Sequence, residues 1–162
     1  MKYLGGMLAA AAMALSSALA GDLEDGMEAY DGGDYALALA AWTRAAAAGQ
    51  ADAMTAIAGL YAGGTGVARD PGLALAWYRR GARLGDATSQ LNLGDMIARG
   101  QGQDRDPVEA SMWLGLAAGQ GNRWAAERKR GLARTMTPAE VAEAERRIGE
   151  WRPLEARGGP SE

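Results

Sequence analysis

The sequence predicts an all-α protein, a solenoid of about four stacked helix pairs. Three observations carry that prediction. The first is a repeat of 36 residues: Gly64/Gly100, Gly66/Gly102, Asp70/Asp106, Pro71/Pro107, Ala74/Ala110, Trp77/Trp113 and Ala82/Ala118 all share that offset, and Gly49, Gly85 and Gly121 extend it over three copies. The second is helical spacing of apolar residues within each copy. The third is punctuation: glycine clusters followed by Asp-Pro divide each of the two central copies into two helices.

The first helix of each pair is amphipathic. Ala53, Ile57, Leu60 and Tyr61 fall on one face, and Ser89, Leu93, Met96 and Ile97 repeat the pattern. Gly63-Gly64-Thr65-Gly66 and Gly100-Gln101-Gly102 stop these helices, since glycine accepts the left-handed cap at little cost. Asp70-Pro71 and Asp106-Pro107 begin the second helices: Asp accepts from free backbone N–H groups, and Pro loses nothing at the first helical position. Ala74, Trp77, Tyr78, Gly81 and Ala82 then form one stripe, matched by Ala110, Trp113, Leu114, Ala117 and Ala118. No single pair buries both of its faces, so the pairs must stack.

The ends depart from the repeat. Leu23 to Tyr30 reads as a short helical piece, and Asp34-Tyr35 opens the helix that carries Trp42. Trp42 lies 35 residues before Trp77, which reads as the same repeat position with one residue missing. Trp42, Trp77 and Trp113 are therefore expected in the core, while Trp124 breaks the pattern and is expected at the surface. Trp124 to Arg134 reads as a first helix rich in charge. Thr137-Pro138-Ala139-Glu140 is a capping box. The helix it opens, Pro138 to Trp151, carries Val141, Ala144, Ile148 and Trp151 on one side and charges on the other, as suits a terminal cap.

Residues 1–20 read as a signal peptide, with Lys2, an uncharged apolar run from Leu4 to Leu15, and Ala18-Leu19-Ala20 as the cleavage site. Residues 21–152 are then the repeat domain with its capping helix, and 153–162 a disordered tail. The expected location is the periplasm of a Gram-negative bacterium, or the exterior. The membrane enters only through the signal segment before cleavage.

Composition narrows the chemistry. The chain has no Cys and no His, which excludes disulfides, thiolate nucleophiles, imidazole catalysis and the usual zinc ligand sets. The net charge of −3 and scattered basic residues do not suit nucleic acid. Ser89 and Ser111 lie within helices without an evident base, and Glu24, Asp25, Asp31 and Asp34 read as turn and cap chemistry. No enzyme, metal or cofactor site is expected. Gly63 to Gly66 lacks the Lys-Ser/Thr of a phosphate loop.

Gly59-Leu60-Tyr61, Gly64-Thr65-Gly66-Val67, Asp70, Ala76-Trp77-Tyr78-Arg79-Arg80 and Ala82…Gly85-Asp86-Ala87 resemble a Sel1-like repeat, a relative of the tetratricopeptide repeat. The second copy is similar but lacks the Tyr, the Val and the second aromatic. The resemblance, covering Asp34 to Arg134, implies a right-handed α/α superhelix that holds other proteins, with the first helices lining its concave surface. Off-stripe residues there are Thr55, Gly59, Asn92, Asp95, Arg99, Glu127 and Arg128, with Ala62 and Arg134 beside them. Together with the aromatic Trp124, these are the expected partner-binding residues. Asn92 and Asp95 are expected to offer hydrogen bonds to a protein or peptide. The basic run Arg123, Arg128, Lys129, Arg130 and Arg134 is expected to offset Glu140, Glu143, Glu145 and Glu150 on the next helix. The competing function is an accessory subunit or hydrolase acting on cell-envelope glycans.

Overall fold

The computed structural model describes residues 21–153, so the expected signal peptide and all of the expected tail beyond Pro153 lie outside the described residues. Within them the chain forms eight helices and no strand. The first, α1, covers 21–31. It is followed by α2 (Tyr35–Ala47), α3 (Ala51–Gly63), α4 (Pro71–Arg83), α5 (Ala87–Ala98), α6 (Pro107–Gly119), α7 (Arg123–Ala133) and α8 (Pro138–Glu150). Among the described residues no helix is long and apolar enough to cross a membrane.

The caps explain the repeat. Asp34, Asp70 and Asp106 each accept the backbone N–H of the residue three positions on, at 3.0, 2.9 and 2.9 Å. Thr137 opens α8 with the expected capping box. Because α2, α4 and α6 start 36 residues apart, no residue is missing in the earlier unit. Trp42 is thus equivalent to Tyr78 and Leu114, and the partner of Trp77 and Trp113 in that unit is Ala41. This corrects the alignment drawn from the tryptophans alone.

The glycine loops join successive units. A Cβ added to Gly66 would overlap Tyr35, and one added to Gly102 would overlap the Pro71 carbonyl. Each loop therefore lies on the start of the second helix of the preceding pair, and both glycines sit at positive φ, 69° and 82°. The links at the two ends, 32–34 and 134–137, are shorter and carry no such loop.

The interior is divided between two apolar clusters. Trp42, Met54, Ile57 and Leu60 anchor the first, and Tyr78, Leu93, Ile97, Trp113 and Leu114 the second. Small residues set the helix spacing. Gly94 lets α5 approach α6, because a Cβ there would stand 2.8 Å from Leu114 Cγ and 3.0 Å from the Ala110 carbonyl oxygen. Gly81 likewise makes room for the buried Ser89, whereas at the equivalent places the chain has Ala on both sides (Ala45 with Ala53, Ala117 with Ala125).

Two expectations about tryptophan are settled differently. Trp42 and Trp113 are buried as expected. Trp77 is only half-buried, with the Arg80 guanidinium 4.2 Å above its ring. Trp113 differs because Trp151, from the end of α8, packs edge-on against it at 6.3 Å between centroids. α8 itself leans on α6 rather than along α7, seating Ile148 over Gly115.

Candidate functional site

The first helices α3, α5 and α7 begin 36 residues apart, so each repeat position can be followed along their shared face. Asp52, Thr88 and Trp124 are equivalent and exposed in all three. The other positions change character. Thr55 and Leu91, both half-buried, become the exposed Glu127, and Ala56 and Asn92 become the exposed Arg128. The face is thus nearly bare at its centre and charged at α7.

A cleft of about 570 Å³ opens between α5 and α7. Its floor includes Ala98, Leu114 and Leu132, and its rim is Asp95, Arg99, Trp124, Glu127 and Arg128. Trp124 is 72% exposed, the most open large apolar side chain of the described chain. Five of the eight partner-binding residues expected from the sequence therefore meet in one depression. Asp95 organises its basic rim: its carboxylate pairs with Arg99 at 2.8 Å and with Arg128 at 3.6 Å. That changes its role. It was expected to offer its oxygens to a partner, and instead it holds two guanidinium groups at the mouth of the cleft.

The other three residues are placed elsewhere. Thr55 is committed within the fold. Its hydroxyl bonds to Asp86 at 2.9 Å and to the Ser89 hydroxyl, so it joins α3 to the start of α5. Gly59 is exposed, with open space around its Cα. Asn92 is half-buried and lines neither this cleft nor its neighbours. Ser89 and Ser111, weighed as nucleophiles, are both buried.

A second cleft of about 560 Å³ lies at the other end of the same face. Leu23, Met27, Tyr30 and Trp42 line it, with Asp31 and Asp52 at its edge. Sequence reasoning passed over it, although Leu23, Met27 and Tyr30 fall at i, i+4 and i+7, a stripe that was legible.

The opposite face carries a polar clasp, also missed. Arg79 on α4 donates to Glu109 on α6 and, at 2.6 Å, to Gln103. Gln103 and the Trp113 indole donate to the same carboxylate at 3.1 and 3.2 Å. Burial by itself would raise the Glu109 pKa. The hydrogen bonds from Arg79, Gln103 and Trp113, with the Arg79 charge, outweigh it and hold the group below its ordinary value.

Comparisons with known proteins agree with this architecture. Residues 51–86 and 87–122 each match the Sel1 repeat family model. No curated protein matches the chain. Among solved structures it is similar to c5321, a protective antigen of uropathogenic Escherichia coli strains displaying an SLR fold, with 23% identity and a TM-score of 0.75 over 80% of this chain. The chain spans only 29% of that antigen's length. It is also similar to a Sel1 repeat protein from Oxalobacter formigenes, with 29% identity and a TM-score of 0.67, covering 79% of this chain and 99% of that one.

Proposed function

This chain carries two Sel1 repeats, and from that premise we propose that it is a non-catalytic adaptor holding a segment of another protein in the cleft between α5 and α7. Sel1 repeat proteins generally serve as protein-interaction scaffolds. The observation that carries the finer reading is Trp124: an indole 72% exposed beside an apolar floor and a charged rim has the composition of a binding hot spot. Stacked helices hold these groups in place before a partner arrives, so most of the ordering cost falls on the partner segment. Its workplace is the cell envelope, a reading supported by Lys2, the apolar run to Leu15 and Ala18-Leu19-Ala20.

A second reading rests on the same indole. An exposed Trp also stacks on sugar rings, which suits an accessory protein acting on envelope glycans. A photo-crosslinking residue at position 131, which lines the same cleft, has open space around it and leaves Trp124 intact, separates the two when the full chain is expressed in its native host. Position 73 is the control, because Leu73 is exposed on the opposite layer of helices. The adaptor reading expects discrete protein adducts from 131 and none from 73. Adducts from 73 alone, or glycan adducts from 131, would overturn it. Trp124→Ala should leave thermal stability almost unchanged, within about 0.5 kcal/mol, while abolishing capture of the crosslinked protein.

A further inference from the structure

The basic run on α7 was expected to be offset by α8. The structure shows otherwise. Only Lys129 reaches across, to Glu145 at 2.6 Å. Glu143 is taken by Arg146 and Arg147, and Glu150 by Arg146, all within α8 itself. Arg123, Arg130 and Arg134 are exposed and form no ion pair among the described residues.

Their repeat positions make this informative. Arg130 is equivalent to Ala58 and Gly94, both buried, Gly94 directly against α6, the second helix of its own pair, and Arg123 to the half-buried Ala51 and Ala87. On α7 the surface that α5 packs against its own second helix carries free guanidinium groups instead, because α8 leans on α6 and leaves it uncovered. Arg123, Trp124, Glu127 and Arg130 line a smaller cleft of about 360 Å³ there. Trp124 and Glu127 belong to both clefts, so Trp124 stands as a ridge with Arg99 and Arg128 on one side and Arg123 and Arg130 on the other. The only carboxylates lining these two clefts are Glu127 and Asp95, and Asp95 is already held by two arginines.

We propose that the segment bound here is acidic: a stretch of another protein that seats an apolar or aromatic side chain on Trp124 and the Leu114–Leu132 floor, with carboxylates on both flanks pairing with arginines across the ridge. The proposal rests on the adaptor reading and adds the partner's chemistry. Guanidinium groups bind carboxylates through paired hydrogen bonds, and four of them around one apolar anchor, two without an ion pair and two sharing the single carboxylate of Asp95, select for negative charge in register with it.

The test is selection of a random-peptide display library on the full-length chain, followed by affinity measurements on the synthesised winners. Winners should carry Asp or Glu on both sides of a Trp, Leu or Met. Their affinity should fall with added salt, and about tenfold in Arg123→Glu/Arg130→Glu. Arg123→Lys/Arg130→Lys should keep most of it. Circular dichroism and melting should be unchanged in both variants, because neither side chain has a partner to lose. Winners that are neutral or basic yet labelled by the crosslinker at 131 would overturn the acidic partner and leave the adaptor reading standing. No winners at all would remove both. Two further results would also overturn the proposal. One is self-association in sedimentation that disappears in the Glu variant, which would assign the site to the acidic α1 of a second copy. The other is tighter binding of a soluble anionic glycan than of any peptide.

Discussion

Helices α5 and α7 hold equivalent places in the repeat, yet one is sealed and the other open. Gly94 of α5 lies so close to α6 that its missing side chain is what permits the contact, whereas Arg130 at the same position on α7 extends into solvent. Leu91 is half-buried where Glu127 is exposed. What differs is whether the second helix of the pair covers the position: α6 lies on α5, whereas α8 leans on α6 and leaves this side of α7 open. A solenoid thus assigns stacking or recognition to the same register according to neighbours, and the charged surface follows where cover stops.

The largest expected effect comes from breaking that distinction. Gly94→Arg would place the α7 side chain into the α5 seam. It should prevent folding or cost more than about 4 kcal/mol, since it overfills the contact and buries a charge without a partner. Arg130→Ala should stay within about 0.5 kcal/mol. Denaturant unfolding of the two variants checks the pair, and similar losses in both would show that α7 is covered after all.

A second pair sharpens the comparison. Trp77 and Trp113 share a repeat position, but Trp151 covers one and Arg80 the other. Trp113→Ala should cost about 3–5 kcal/mol and Trp77→Ala about 1–2 kcal/mol. Equal losses would mean that cover by the C-terminal segment adds nothing.

The smallest effect concerns Glu109, whose repeat equivalents Leu37 and Leu73 are exposed. Its folded pKa is depressed below the ordinary 4.5. It therefore contributes stability that is present above that value and lost as pH falls through the folded pKa. Glu109→Gln should cost about 1 kcal/mol near neutrality, and the gap to the parent chain should close on acidification below about pH 4. Melting temperatures across that range read the sign directly. A gap that widens in acid contradicts the clasp.

Much of the fold was legible because its signals are local. Caps, glycine stops and apolar stripes depend on residues within one or two turns, so Asp34, Asp70, Asp106 and Thr137 marked helix starts without any knowledge of packing. The tryptophan alignment misled because a large residue draws the eye across units, whereas the caps keep the true register. The candidate site was legible as a face but not in its detail. Nothing in the spacing revealed that Thr55 is spent on Asp86 and Ser89, or that Asp95 is spent on Arg99 and Arg128. Those partners lie on other helices or are chosen among several reachable groups.

By itself, the sequence determined the helices, their ends, their pairing and the 36-residue period, since each follows from short-range backbone and side-chain preferences repeated along the chain. Only the tertiary structure decided that α8 rests on α6, that Arg123 and Arg130 of α7 are left without carboxylates, and that Trp124 stands between two clefts. The physical reason is that cover and charge pairing depend on distances between helices far apart in the chain, which composition and period leave open.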